Sequence, residues 1–440
     1  MIEQLYKIFQ EYQTVTTDTR QITEGCIFFA LKGNTFDGNV FAEKALKLGA
    51  KCAVIDNFSF KKDDRYFLVD DVLTTLQDLA RHHRRQFDFP IVAITGSNGK
   101  TTTKELMAAV MSSQYNTHFT KGNFNNHIGV PLTLLQLNAD HEVAIIEMGA
   151  NHQGEIDLLC KIAEPTHGLI TNIGKAHLEG FGGFEGVKKG KSEMYRWLVT
   201  HHGTIFLNED EPYLLECLPQ SASRIITYCR SDAPNMTTPQ YEITLEASEG
   251  FLKVGFLNSK GEMVYCTTNL VGEYNFANIA TAVAVGKYFK VPTSKIKRAL
   301  ENYVPSMNRS QLVDYKGVTL IMDAYNANPS SMKQALLNLS KMPQAYKIAI
   351  IGDMRELGEE SLREHMFILN LAKSLNFNEL VTVGNEFGKI DTEGGRVHFN
   401  ETENAINWFK NKKFENETCI LIKGSRGMKL ETLLEKPQAH

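Results

Sequence analysis

Ile91-Val-Ala-Ile-Thr-Gly-Ser-Asn-Gly-Lys-Thr-Thr102 is the stretch that decides the fold of this 440-residue chain. Its first five residues form a short strand with no polar face, the kind a parallel sheet covers on both sides. From about 101 the pattern changes to a helix, with Leu106, Met107 and Val110 on one face. A glycine loop between such a strand and such a helix turns its backbone amides inward on an anion. Gly96 and Gly99 permit the turn, Lys100 brings a charge to outer phosphates, and the Thr101 hydroxyl can ligate Mg²⁺. The strict phosphate-loop pattern has another glycine where Ile94 stands, so this loop keeps the Gly-Lys-Thr core and drops the first glycine. Thr95, Gly96, Ser97, Asn98, Gly99, Lys100, Thr101 and Thr102 are the expected nucleotide-binding residues. A structural turn with an incidental lysine is the bland alternative, and the strand before and helix after argue against it.

Downstream, Val143–Glu147, Gly168–Asn172 and Thr204–Leu207 read as further strands of one sheet. Between 240 and 271 a β-meander follows, with turns at Ser248-Glu-Gly and Asn258-Ser-Lys-Gly, and then helices at 276–289 and 294–303. Pro305 and Ser306-Met-Asn308 read as a linker. Glu147, at the carboxyl end of its strand, stands where a second Mg²⁺ ligand belongs, or equally where an acid caps a helix. Taken alone, His177 reads as a structural histidine, and Lys191, in Lys188-Lys-Gly-Lys-Ser192, as a solvated cation.

Residues 1–86 mix short apolar runs at 27–31, 53–55 and 67–69 with a helix near 40–49 and a charged helix over 74–85. His82-His-Arg-Arg85 reads as a solvated helix end whose cations complement the C-terminal dipole. The last 130 residues repeat a strand–helix unit: strands at 317–323, 346–351, 379–383 and 418–422, helices at 330–340, 361–374, 402–411 and 428–435. This is a parallel, doubly wound sheet, and Asp323, Asp353 and Lys423-Gly-Ser-Arg426 gather at its carboxyl ends, where ligands bind. The chain is therefore expected to be α/β with three domains: 1–86, a central 87–307 with a phosphate loop and β-meander, and a Rossmann-like 308–440.

Composition narrows the function. Lys plus Arg is 47 against 51 Asp plus Glu, a net charge of −4, so nucleic-acid binding is not expected. The longest apolar runs fall far short of the roughly 18 residues a membrane span needs. The N-terminal Met1–Phe9 carries an acid in an amphipathic pattern without a signal peptide's apolar core, so a cytoplasmic protein is expected. Seven scattered cysteines with no C-x-x-C pair fit reduced thiols, and neither a disulfide framework nor a zinc site.

Further motifs sharpen this. Gly122-Asn-Phe-Asn-Asn-His-Ile-Gly-Val-Pro-Leu132, Glu147-Met-Gly-Ala150, Thr171-Asn-Ile-Gly-Lys-Ala-His-Leu-Glu-Gly-Phe181, Asp323-Ala-Tyr-Asn-Ala-Asn-Pro329, Gly352-Asp-Met-Arg-Glu-Leu-Gly358 with His365, and Lys423-Gly-Ser-Arg-Gly427 occur in that order. Together with the phosphate loop they resemble the Mur ligases, ATP-dependent amide-forming enzymes of peptidoglycan precursor synthesis. Within that family the pattern is most similar to the branch that adds D-alanyl-D-alanine to UDP-N-acetylmuramoyl-tripeptide. The resemblance runs from Thr17-Asp-Thr-Arg20 to the C-terminus.

The resemblance implies roles, residue by residue. Lys100, Glu147, His177 and Lys191 take the catalytic positions, with ATP and two Mg²⁺. Thr101 and Glu147 match the ligands of the ion bridging the β- and γ-phosphates, and His177 a ligand of the second. Lys191 matches a lysine that family members carry as a carbamate, which reverses its bland reading. Asn275 and Asn278 match adenine contacts, Arg309 an arginine that reaches the phosphates, and Asp323 the acid on the ribose. The family has a glycine directly before that arginine, where this chain has Asn308. Thr19, Arg20, Gly33, Asp37 and Gly38 resemble the uridine-nucleotide segments, and Asn125 and Asn126 face the same substrate. Tyr325, Asn326, Asn328, Lys423, Ser425 and Arg426 fall to the acceptor side, and a monomer is expected. A ligase adding a different amino acid is the alternative disfavoured by Asp323–Pro329 and Lys423–Gly427. A non-catalytic nucleotide-binding scaffold would not keep Lys100, Thr101, Glu147, His177 and Lys191 together.

Overall fold

A computed structural model describes residues 1–232, 238–305, 308–390 and 395–434, and three main sheets, beside a two-stranded ribbon, organise them. The first is a small parallel sheet ordered Val15–Thr16, Ile27–Phe29, Cys52–Ile55 and Tyr66–Leu68. Helices Ile2–Tyr12, Ala42–Lys47 and Val72–Arg84 belong to it.

The reading of His82–Arg85 as a solvated helix end holds for exposed Arg85 and is overturned at its two central residues. His83 and Arg84 are 6% and 7% exposed. The Tyr6 hydroxyl donates to His83 Nδ1 (3.0 Å), and His83 Nε2 donates to the Leu137 carbonyl (2.9 Å). Arg84 donates to the carbonyls of Ala163 (3.1 Å), Phe87 (2.7 Å) and Glu164 (3.2 Å). Two side-chain donors thus weld the first unit to the second, because backbone carbonyls at the junction need donors.

The second sheet has nine strands. Ile91–Thr95 lies between His167–Ile170 and Val143–Glu147, all parallel. Its residues alternate between two cores: Ile91 and Ala93 pack with Ile146 and Leu198, whereas Val92 and Ile94 pack with Leu106, Val110 and Val283. That double cover explains why the strand has no polar face. Thr204–Asn208 and Ile225–Arg230 extend the sheet in parallel, and the meander Tyr241–Ala247, Phe251–Leu257 and Met263–Val271 continues it. The meander is therefore part of the nucleotide sheet rather than an appendage, with Ile225–Arg230, unread in the sequence, as the link.

The third sheet runs Gln311–Tyr315, Val318–Asp323, Thr418–Lys423, Tyr346–Gly352, Glu379–Val383, Val397–Phe399. All neighbours are parallel except the first pair. The sequence reading missed that antiparallel edge. Lys316 and Gly317 sit at φ 54° and 82°, so two left-handed residues in succession close a tight hairpin. The helix expected over 428–435 is replaced by two short 3₁₀ turns, Arg426–Met428 and Leu430–Leu433. Lys429, at φ 52°, interrupts helical geometry between them. Residue 435 of that expectation, and Ser306 and Met307 of the linker, lie outside the described residues.

Candidate active site

The carboxyl ends of the second and third sheets line one cavity of about 1200 Å³. Its walls carry Thr101 after the Ile91–Thr95 strand, Glu147, Asn172, Asn208 and Arg230 at or just beyond other strand ends, and Asp323 and Lys423 from the third sheet. Open α/β sheets bind ligands at this edge because loops and helix N-termini converge there.

Both loop glycines are sterically required. Gly96, at φ 143°, would place a Cβ 2.0 Å from Thr171 Oγ1, and Gly99, at φ 78°, would place one 2.5 Å from Asn278 Oδ1. Ser97, Asn98, Gly99, Lys100, Thr101 and Thr102 line the cavity, while Thr95 and Gly96 lie behind it. Lys100 Nζ donates to the carbonyls of Gly96 (2.7 Å) and Ser97 (3.3 Å). Burial lowers its pKa to about 8; Glu147 opposes that shift and Arg309 adds to it.

Thr101 Oγ1 donates to Glu147 Oε1 (3.1 Å), and Asn125 Nδ2 donates to the same oxygen (2.7 Å). Glu147 Oε2 is buried with no hydrogen-bond partner, 3.8 Å from Lys104 Nζ. An orphaned carboxylate oxygen beside a threonine hydroxyl is a donor set suited to a hard divalent cation. Asn275 and Asn278 are buried and line the cavity. Asn278 Nδ2 donates to Asn275 Oδ1 (2.9 Å), and Thr103 Oγ1 donates to Asn278 Oδ1 (2.9 Å).

His177 lines the cavity from a left-handed backbone, φ 53°, and its Nδ1 meets the Glu356 carboxylate of the third unit. Lys191 overturns the solvated reading outright: it is 1% exposed, and Nζ donates to the Ala150 carbonyl (3.1 Å). Burial, with Lys100 acting in the same direction, holds its ammonium well below the ordinary lysine range against Glu155 and Glu193. Lys191 lies outside the cavity lining. Among the described residues, no three of His, Cys, Asp and Glu converge as a metal cluster.

On the third unit, Lys423 Nζ donates to Asp323 Oδ2 (2.6 Å) and the Ser310 amide to Oδ1 (3.3 Å). The Arg309 guanidinium lies 3.8 Å from the centre of the Tyr325 ring, and its Nε is buried without a partner. Asn308, where the resemblance leads to an expected glycine, adopts φ 56°, a left-handed conformation that asparagine tolerates. Asn328 Nδ2 donates to Asn98 Oδ1 (2.7 Å), joining the third unit to the phosphate loop, and Asn326 lines the cavity nearby. Ser425 is buried behind the wall against Ala327 and Arg355, and Arg426 is exposed, paired with Glu431 (2.8 Å).

Asn125 and Asn126 line the cavity; Thr19, Arg20, Gly33, Asp37 and Gly38 do not. Arg20 forks onto Asp18 at the surface, Asp37 accepts from the Asn39 amide (2.9 Å), and exposed Gly33 lies in a short hairpin. Gly38 is a backbone requirement, since a Cβ there would fall 2.3 Å from the Leu31 carbonyl oxygen. The sequence reading missed an acidic wall of Asp210, Glu211, Asp232 and Glu273 around Arg230. Burial and the neighbouring Asp210 push the Glu211 carboxyl up to about 7. The end of the strand Thr204–Asn208 was the available signal, because it lies in the sheet of the phosphate loop.

Three family models match the chain in order: the Mur ligase family catalytic domain over residues 11–84, the Mur ligase middle domain over 94–286, and the Mur ligase glutamate ligase domain over 308–426. The chain belongs to the Mur ligase family. It is 34% identical to UDP-N-acetylmuramoyl-tripeptide–D-alanyl-D-alanine ligase of Bacillus subtilis, covering 96% of this chain and 92% of that protein. The ligase of the same name from Escherichia coli is 35% identical, covering 96% and 93%. A crystal structure of MurF from Acinetobacter baumannii superposes with a TM-score of 0.86 at 30% identity, covering 98% and 97%. MurF from Thermotoga maritima, solved in complex with ADP, gives 0.82 at 26% identity, covering 96% of each chain. For this Mur ligase, the α/β architecture in three family segments agrees with the sequence reading. No helix among the described residues is long and apolar enough to cross a membrane.

Proposed function

We propose that this Mur ligase joins D-alanyl-D-alanine to UDP-N-acetylmuramoyl-tripeptide at the expense of ATP, forming the pentapeptide precursor of peptidoglycan. The observation that carries this reading is near-full-length similarity, at 34% and 35% identity, to enzymes of that name. In it, residues 1–86 hold the uridine nucleotide through Thr19, Arg20, Gly33, Asp37 and Gly38. Residues 87–307 hold ATP on the phosphate loop with Asn275 and Asn278. Residues 308–440 bring Arg309 to the phosphates, Asp323 to the ribose, and Tyr325, Asn326, Asn328, Lys423, Ser425 and Arg426 to the acceptor side.

The substrate's terminal carboxylate attacks the γ-phosphate, giving an acyl phosphate and ADP. The amine of D-alanyl-D-alanine then attacks the activated carbonyl, and phosphate leaves from a tetrahedral intermediate. Bringing anions together is the electrostatic difficulty, and a preorganised cation in a shielded site offsets it best. Lys100 is that cation in the loop. Thr101 and Glu147 would hold one Mg²⁺, and His177 with carbamylated Lys191 the other; when bound, these ions neutralise phosphate charge. Carbamate formation consumes the neutral amine of Lys191 and CO₂ and releases a proton, and its burial favours the neutral amine. The reading places the enzyme in the cytoplasm as a monomer, supplying cell-wall synthesis for cell shape and division, with no nucleic-acid or membrane partner.

ADP release measured with a panel of UDP-muramoyl peptides and amines tests the assignment. Turnover should require the tripeptide and D-alanyl-D-alanine. Equal turnover with L-glutamate or meso-diaminopimelate as the amine would overturn it.

A further inference from the structure

We infer that Glu356 is a positioning residue that makes the function of His177 conditional on docking of the third unit; this rests on the ligase reading above. His177 and Glu356 stand on opposite sides of the cavity seam, and both are non-glycine residues in the left-handed region, at φ 53° and 63°. Such backbone is unfavourable for L-residues and persists where its surroundings hold it in place. Those surroundings are present. Asp353 accepts from the amides of Glu386 (2.9 Å) and Phe387 (3.0 Å), His365 Nε2 accepts from the Met354 amide (3.0 Å), and Ser425 Oγ accepts from the Arg355 amide (3.0 Å). Every residue from 353 to 355 is thus anchored, and Glu356 is delivered at the end of the brace. Its carbonyl also accepts from the Glu179 amide (3.4 Å), two residues beyond His177.

The Glu356 side chain is 54% exposed, so attraction to His177 adds little to stability and does not account for two left-handed residues meeting across a domain seam. Orientation does account for it. A neutral imidazole carries one N–H; a carboxylate at Nδ1 fixes the proton there and leaves Nε2 with its lone pair, on a residue that lines the cavity. Docking of the third unit therefore sets the tautomer and ring plane of a residue on the second.

The test uses Glu356→Gly, which deletes the carboxylate while accepting positive φ, and Glu356→Gln, which keeps an acceptor oxygen. In nitrogen-15 histidine spectra with ADP bound, the parent and the glutamine variant should show His177 protonated at Nδ1, and the glycine variant should lose that preference. Mn²⁺ titration with ADP present should show the weaker of two ions bound about 10–100-fold less tightly in Glu356→Gly. Its kcat should fall by a similar factor while KM for ATP stays within about twofold. Unchanged tautomer and Mn²⁺ affinity in Glu356→Gly would overturn the proposal, even with kcat reduced, since the contact would then be only a tether. A parent lacking D-alanyl-D-alanine-dependent ADP release, with the tautomer and Mn²⁺ effects intact, would instead overturn the ligase reading alone.

Discussion

Arg84 and Lys191 are both buried basic residues, 7% and 1% exposed, and the two are buried in opposite ways. Arg84 spends its guanidinium on three carbonyls at the seam between the first and second units. Lys191 has one carbonyl for its buried amine, and in the cavity wall Glu147 Oε2 and Arg309 Nε have no hydrogen-bond partner. Leaving buried polar atoms unmatched costs free energy, roughly 1–3 kcal/mol for each. A matched inventory marks a joint, and a deficient one marks a place where binding or chemistry completes the set.

That contrast can be broken most directly at the loop. Lys100→Ala should lower turnover by about 10²–10³-fold, the usual scale for removing one preorganised group facing developing charge. Activity within threefold of the parent, measured by ADP release, would place the loop outside the reaction. Next in size, Lys191→Ala should lose about a hundredfold, on the scale of metal-site substitutions. A short carboxylic acid in the buffer should partly restore it by replacing carbamate oxygens. Lys191→Arg, which keeps the charge and cannot carry the carbamate, should stay inactive; normal turnover would return Lys191 to the matched class.

At the seam the readout should switch from rate to stability. Arg84→Ala strands three carbonyls and should cost about 2–4 kcal/mol in denaturant unfolding, with kcat/KM within about twofold of the parent. A rate defect with unchanged stability would erase the distinction. The smallest effect concerns His118, 8% exposed, which donates from Nε2 to the Thr133 carbonyl (2.9 Å) and whose pKa burial lowers to about 4. Between about pH 6.5 and 4 the unfolded chain binds a proton that the folded one refuses. Stability should therefore fall by up to about 3 kcal/mol as pH drops through that window. His118→Gln keeps a donor without titrating, so its unfolding should depend less on pH there; an unchanged slope would assign the acid loss elsewhere.

What the sequence disclosed follows the same division. The phosphate loop was legible because strand, glycines and helix are adjacent in the chain, and their chemistry is local. The helices Ser361–Ser374 and Thr402–Asn411 were legible from apolar periodicity. Lys191 was misread because a lysine-rich segment reports solvent, and only packing against Phe181 and Ala150 removes it from water. His83 and Arg84 were misread for the same reason: all their partners but the Phe87 carbonyl lie more than fifty residues away. Gln311–Tyr315 was missed because its pairing depends on left-handed Lys316, a conformation for which lysine gives no signal. The acidic wall escaped because its members come from three separate strand ends.

The hydrogen bond from Asn328 to Asn98 has a consequence for recombination. It spans 230 residues of sequence and ties the cap of the helix Pro329–Lys341 to the loop that turns on phosphate. A chimera cut between the second and third units inherits one half of this pair from each parent. Exchange of whole units among relatives is thus limited by a two-residue matching rule, and the cavity is a shared possession that neither half can carry away.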